Sequence, residues 1–234
     1  MKKYLLEQKK YAGLSGKAGQ NYGIIGTFSK TAIYLMIALF MVIGYSCSKD
    51  EDEEEKGAES AYFYYGDHSY LIVKQSKTWV EAAADAVAQG GYLVEIGSQA
   101  EQTAVYQAIQ NSGISTTYAA VEDGGGAAYI WIGATDKAAE GDWLWNGRNG
   151  ANGTLFWKGS AQNNSYFNWG GKAAGTVNEP DDYEGQDAAA IGLAGWPVGA
   201  SPGLGRAGEW NDIDESNRLY YVIEFDEAEK TDKK

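Results

Sequence analysis

Residues 175–192 read GTVNEPDDYEGQDAAAIG and carry five carboxylates within nine positions, Glu179, Asp181, Asp182, Glu184 and Asp187, with no Lys or Arg among them. Like charges this close raise one another's pKa and oppose folding unless something positive joins them. The stretch is therefore either a solvated acidic loop or the frame of a metal site. Its apolar end, AAAIGL (188–193), is the kind of short run that a buried strand makes.

Two further clusters carry the same hard oxygen ligands. TDKAAEG places Asp136 and Glu140 four residues apart just after WIGA, and GEWNDID supplies Asn211 and Asp212 with Asp214 nearby. All three clusters are expected on loops between strands. Calcium takes about six to eight oxygens and has no use for His or Cys, whereas magnesium keeps more of its water. A single acidic loop is more simply solvated; three in one loop-rich domain favour ions.

The surrounding sequence is that of a packed domain from Ala61 onward. Thr78-Trp79-Val80-Glu81 and Ser98-Gln99-Ala100-Glu101 both fit a capping box, a hydroxyl at the N-cap and Glu three residues on. The first predicts a helix to about Gln89, stopped by Gly90 and Gly91, and the second a helix to about Asn111, stopped by Gly113. YLVEI (92–96) between them reads as a strand. After residue 113 short apolar or alternating runs follow, AYIWIGA (128–134), DWLWN (142–146), TLFWKG (154–159), AAAIGL and RLYYVIEF (218–225), separated by Gly, Asn and Asp. With YFYYG and SYLIV as strands near the start, two helices and a loop-rich set of strands give an α+β fold.

Composition excludes several functions. Six of the 19 basic residues but only one of the 32 acidic ones lie within residues 1–30, so the rest of the chain is strongly acidic and is not expected to bind nucleic acid. A cation or a neutral ligand fits better. His68 is the only histidine and Cys47 the only cysteine, so there is no Ser-His-Asp or Cys-His set, no HExxH and no zinc spacing. An acid pair for glycoside hydrolysis cannot be singled out in so acidic a chain, and no enzyme is expected. GLGRAG (203–208) has the letters of a dinucleotide fingerprint but lacks the strand before and the helix after that would make it work, and is read as a flexible loop.

The N-terminal region reads as an export signal, with a short membrane anchor as the alternative. A Lys-bearing stretch leads into TAIYLMIALFMVIGY (31–45), uncharged but shorter than the roughly 18–20 residues of a spanning helix. GYSCSKDEDEEE follows, and it resembles a bacterial lipoprotein box at Cys47 with an acidic tether of the kind that directs lipoproteins of Bacteroidota to the cell surface. The expected organisation is residues 1–46 as signal, 47–60 as lipidated Cys and tether, 61–226 as the folded domain and 227–234 as a charged tail. Stable anchoring takes more than one acyl chain. The expected location is the outer membrane, lipid-anchored and exposed.

Taken in order, the folded part resembles a C-type lectin-like domain. The resemblance rests on the Trp-bearing helix TWVEAAADAVAQGGYLVEI, SQAEQ opening the second helix, WIG (131–133), FNW (167–169), EPD (179–181), WND (210–212) and the final strand YYVIEF. It implies a main calcium and sugar site at Glu179, Asp181, Gln186, Asn211 and Asp212, and an auxiliary calcium at Asp136, Glu140, Asp182 and Asp187. EPD departs from the family's Glu-Pro-Asn and Gln-Pro-Asp, and Gln186 stands where Glu is usual, so three negative charges are kept. Pro180 is expected to follow a cis bond. The framework cysteines are replaced by Ala86 with Ile223 and by Ala188 with Glu215, so buried tryptophans must offset the missing staples. Trp196, in the Gly-rich loop 194–208, is the candidate for stacking on a ligand, and 149–165 for an added hairpin. The function implied is calcium-dependent binding of a glycan or cell-surface glycoprotein. The alternative is a calcium-ordered adhesion or protein-binding module without a sugar ligand.

Overall fold

The computed structural model describes residues 61–226. The expected signal, the lipidated Cys47 with its tether, and the tail 227–234 lie outside the described residues.

Among the described residues nine strands form one sheet: β1 (Ala61–Tyr65), β2 (His68–Lys77), β3 (Tyr92–Leu93), β4 (Tyr129–Thr135), β5 (Trp143–Trp145), β6 (Thr154–Trp157), β7 (Ala188–Gly192), β8 (Trp210–Ile213) and β9 (Leu219–Phe225). Its main path runs β1-β2-β9-β4-β5-β6, with β3 on β9, and β7 on β4 carrying β8. Only the β4–β9 pairing is parallel among these. The central strands are buried on both faces because alternate residues feed two clusters. Tyr70, Ile72, Ile130, Ile132, Ile191 and Val222 point into one. Leu71, Val73, Tyr129, Trp131, Tyr221 and Ile223 point into the other.

Each face receives one helix. Helix α1 (Trp79–Ala88) starts on a complete capping box between Thr78 and Glu81 and buries Trp79, Ala82, Ala83 and Ala86. Its small alanines let it lie close on the second cluster. Helix α2 (Gln99–Asn111) buries Gln102, Val105 and Ile109 against the first cluster. Its box is only half made: Ser98 accepts from Glu101 N, while the Glu101 carboxylate takes Gly97 N and Tyr70 OH instead.

The two helices end where the sequence places them, and the runs after residue 113 become strands. Two differences have clear causes. YLVEI pairs as a strand only at Tyr92–Leu93, because Glu95 N turns to the Glu224 side chain and Val94 O accepts from Gly133 N. WNDI, expected on a loop, is strand β8, paired in register with β7; its acids had marked it as loop, yet Asp212 is a buried carboxylate on a strand.

All eight tryptophans are buried. Trp143, Trp145, Trp157, Trp169 and Trp210 pack with Phe156 through stacked and edge-to-face contacts. Aromatic pairs add about 0.5–1.5 kcal/mol each beyond the area they bury. Of the segment 149–165 only Thr154–Trp157 is a strand, β6, and it pairs with β5, which lies before that segment, so the hairpin spans its start and is not added within it. Ala86 and Ile223, standing where cysteines are expected, are fully buried in the second cluster, on the other face of the sheet. Gly133 of WIG has a packing reason, since a Cβ there would lie 2.4 Å from Leu93 O.

Candidate functional site

The site forms where the long loop 170–187 returns to the β7–β8 ribbon. Gly170 N donates to Trp210 O and Gly170 O accepts from Asn178 N, which sets Glu179 beside β8. The Glu179–Pro180 bond is cis, as expected. Asp212, near the end of β8, then accepts from Asp181 N at 3.1 Å and Asp182 N at 2.8 Å. One oxygen from each of Glu179, Asp181 and Asp212 lies within 4.8 Å of the others.

The electrostatics of this trio are unfavourable as it stands. Glu179 is 3% exposed and Asp212 0%. Burial pushes the Glu179 carboxyl up to about 7, the Asp181 charge adds to it, and the Trp196 N–H bond opposes it. Asp212 is likewise pushed up to about 7 by burial, with Glu179 and Asp181 adding and the Asp182 N–H opposing. Glu179 Oε2 is buried without a hydrogen-bond partner. No Lys or Arg forms an ion pair with any of the three among the described residues. A buried, unpartnered carboxylate oxygen among acids costs free energy, and a hard dication held by such oxygens removes that cost. The donor set fits calcium.

A second trio, Asp136, Glu140 and Asp187, also converges. Asp136 follows directly on β4; its Oδ2 accepts from Gly141 N at 2.9 Å, and its Oδ1 is buried without a partner. Burial, then the neighbouring charges of Glu140 and Asp187, hold its carboxyl well above the usual carboxylate range. Lys137 Nζ sits 2.6 Å from Asp187 Oδ2 and 3.2 Å from Glu215 Oε1, and these acids hold the ammonium pKa up.

Four residues assigned from the sequence are placed differently or carry other bonds. Trp196 is 1% exposed, so it cannot stack on a ligand. It lies beneath the site with its Nε1–H on Glu179 Oε1 at 2.8 Å, and Gly205 is pressed on its ring so closely that a Cβ would come within 2.1 Å. The loop 203–208, expected to be flexible, is tied down there by the Trp196–Gly205 bridge. Gln186 braces the loop: Oε1 accepts from Tyr183 N and Nε2 donates to Asp123 O. Asp182, expected with the second trio, is outside it and spends Oδ1 on Gln186 N. Asn211 neighbours Asp212 on β8 and directs its amide nitrogen to Tyr129 OH.

Two residues were missed. Tyr183, between Asp182 and Glu184, is 56% exposed at the edge of the first trio; an aromatic inside an acidic run is the signal that marks it. Glu209, buried next to Trp210, accepts from Gly171 N, Ala173 N and Arg206 N and so folds the long loop on itself. Nothing in GEWND distinguishes that acid from a solvated one.

The sequence profile of the Lectin C-type domain matches residues 75–225. The chain belongs to the C-type lectin domain family. Domains of this family are generally calcium-dependent, carbohydrate-binding and non-enzymatic. C-type lectin domain family 4 member F of Rattus norvegicus is 34% identical over 82 residues, 35% of this chain and 12% of that protein. Tetranectin of Homo sapiens is 33% identical over 75 residues, 32% of each chain. The lectin chain thus spans a third or less of these relatives' length. Among solved structures, the mouse scavenger receptor C-type lectin carbohydrate-recognition domain has a TM-score of 0.46 at 21% identity, covering 71% of this chain and 94% of that one. Human lithostathine has a TM-score of 0.48 at 21% identity, covering 70% and 95%. The cow CD23 domain, solved in the presence of a GlcNAc2Man3 oligosaccharide, has a TM-score of 0.45 at 22% identity, covering 70% and 92%.

Proposed function

We propose that this C-type lectin domain holds calcium between Glu179, Asp181 and Asp212 and binds a glycan through that ion. The single observation that carries the reading is the buried Glu179 Oε2, unpartnered and set among converging carboxylates with no ion pair to a basic residue among the described residues. When bound, the ion supplies a positive centre that sugar hydroxyls complete. The protein's own part is to hold the acids: β8 fixes Asp212, Asp212 fixes the backbone of Asp181 and Asp182, and Trp196 fixes Glu179. Exposed Tyr183 lies where a sugar's apolar face can rest. The second trio is a further calcium site. The test is a glycan array read in calcium and in EDTA, with Asp212→Asn as control. Calcium-dependent signal lost in the variant supports the reading, and binding unchanged by EDTA refutes it.

One observation favours a second reading. Val177 and Tyr183 on the loop 170–187, and Val198 and Leu204 on the Gly-rich loop 194–208, are exposed apolar side chains, a pattern that suits a protein partner on calcium-ordered loops. Partner capture that survives Asp181→Asn while glycan binding is absent would select it.

The setting we assign is an outer-membrane lipoprotein of Bacteroidota type, anchored through Cys47 and exposed on the cell surface. The apolar run before Cys47 and the acid run after it support this; the relatives named above are animal proteins. Incorporation of labelled palmitate, lost in Cys47→Ala, tests it.

A further inference from the structure

The two acidic trios differ in one respect that bears on which ion each takes. The first has no basic partner among the described residues. The second contains its own cation. Lys137 follows Asp136 directly, and its backbone is fixed: Lys137 N donates to Thr135 Oγ1, and that hydroxyl donates to Asp187 O at 2.7 Å. From there the ammonium reaches Asp187 Oδ2 and Glu215 Oε1. It therefore occupies an oxygen of the same carboxylate that Asp136 and Glu140 would need to complete a cation site. The buried Asp136 Oδ1 is still left without a partner, so Lys137 neutralises the site without satisfying it.

We propose that Lys137 is a tethered competitor at the Asp136–Glu140–Asp187 site: its ammonium and a divalent cation exclude one another at Asp187, which makes this the weaker of the two sites. With Lys137 on Asp187, a calcium ion finds two free carboxylates, few for a cation that takes about six to eight oxygens. When the ammonium swings out, the third carboxylate becomes free. The side chain can do so because it is 60% exposed. Without the ion, the same lysine ties the loop after β4 to Glu215, between β8 and β9, so the loop keeps its place when the site is empty of metal. A surface ion pair that shared no carboxylate with the trio would leave cation binding unchanged.

The test isolates the second site in the full chain with Glu179→Gln in the background, and measures calcium binding by titration calorimetry. Adding Lys137→Met should tighten calcium at least about tenfold, because the ion no longer has to displace an ammonium from Asp187 and no basic charge is left beside it. Lys137→Arg keeps the charge and should stay near the background. Asp136→Asn placed on top of Lys137→Met should abolish the heat. Unchanged or weaker binding in Lys137→Met overturns the proposal, as does binding that survives Asp136→Asn, or the absence of binding in every variant. Failure of the glycan-linked site shows separately, as a chain with intact Lys137 whose calcium binding is indifferent to Glu179→Gln.

Discussion

Raising the pH from 5 to 8 should destabilise the metal-free protein, and calcium should reverse the trend. Glu179 and Asp212 each have a folded pKa of about 7, against unfolded values of about 4.3 and 3.9. Between about pH 4 and 7 the folded state thus holds protons that the unfolded state has released. Stability falls as pH rises through that window and stays low above it. Each shift of nearly three units is formally about 4 kcal/mol at about 1.36 kcal/mol per unit. The two groups repel one another, so part of that is counted twice, and a whole domain is stable by only about 5–15 kcal/mol. A loss of about 3 kcal/mol is the reasonable expectation, about 6–12 °C in Tm for a domain of this size. Calcium binds only the ionised trio, so millimolar calcium at pH 8 should restore most of the loss; at about 100 times Kd it contributes roughly 2.7 kcal/mol. Asp136, Glu95 and Glu224 are also shifted upward and add to the slope, so Glu179→Gln separates the trio from them. Its amide oxygen can still accept from Trp196 while the charge is gone. At pH 8 the variant should melt higher than the parent in EDTA and lower than the parent in calcium. A Tm in EDTA that is flat or rises from pH 5 to 8, or a variant that melts lower under both conditions, would refute the reasoning.

Other perturbations separate the roles of neighbouring residues. Trp196→Phe removes the N–H on Glu179 and should cost about 1–2 kcal/mol of stability. It should also weaken calcium binding, read by calorimetry; unchanged affinity would leave Trp196 as core alone. Tyr183→Ala should change stability by no more than about 0.5 kcal/mol but lower glycan affinity about tenfold, about 1.4 kcal/mol, in a plate-binding assay. Glu209→Ala leaves three N–H groups without an acceptor and should speed hydrogen exchange at Gly171, Ala173 and Arg206, with a loss of about 3 kcal/mol. Gly133→Ala drives a Cβ to within 2.4 Å of Leu93 O and should cost about 3 kcal/mol or more, seen in urea unfolding.

The fold was legible wherever the signal was local. Thr78 and Ser98 announced both helices because a cap is made within four residues, and the unbroken apolar run within RLYYVIEF announced β9 because a strand buried on both faces needs apolar residues at nearly every step. The acids of EPD and WND could be paired from the sequence only through family resemblance. Their meeting depends on Gly170 docking on Trp210 and on Asp212 capturing two amides, contacts that no spacing reveals. Trp196 shows the limit most clearly. A tryptophan in a Gly-rich loop reads as exposed, whereas the glycines are there because Gly205 must lie flat on its ring. Lys137 escaped notice for the opposite reason: a lysine beside an aspartate is unremarkable until Asp187 arrives from 50 positions away.

A lectin domain without its framework cysteines still has to hold a charged site that opposes folding, and the architecture suggests how it does so. The acids sit where three carboxylates converge at the end of a strand that the tryptophan cluster clamps from behind: Trp210 starts β8, stacks edge-on with Trp145 and Trp169, and donates to Gln102 of α2. A single strand residue, Asn211, separates that rigid anchor from Asp212. The contacts of that anchor involve none of the three acids, so ionisation of the site is expected to lower the stability of the whole fold without loosening the anchor's own packing. If the acids hold calcium as proposed, the scaffold should persist without it while the loop 170–187 loosens. In calcium-free buffer, hydrogen exchange should accelerate across 175–187 and remain slow in β4, β7 and β9; uniform acceleration across the sheet would mean that the ion, and not the tryptophan cluster, takes the place of the missing disulfides.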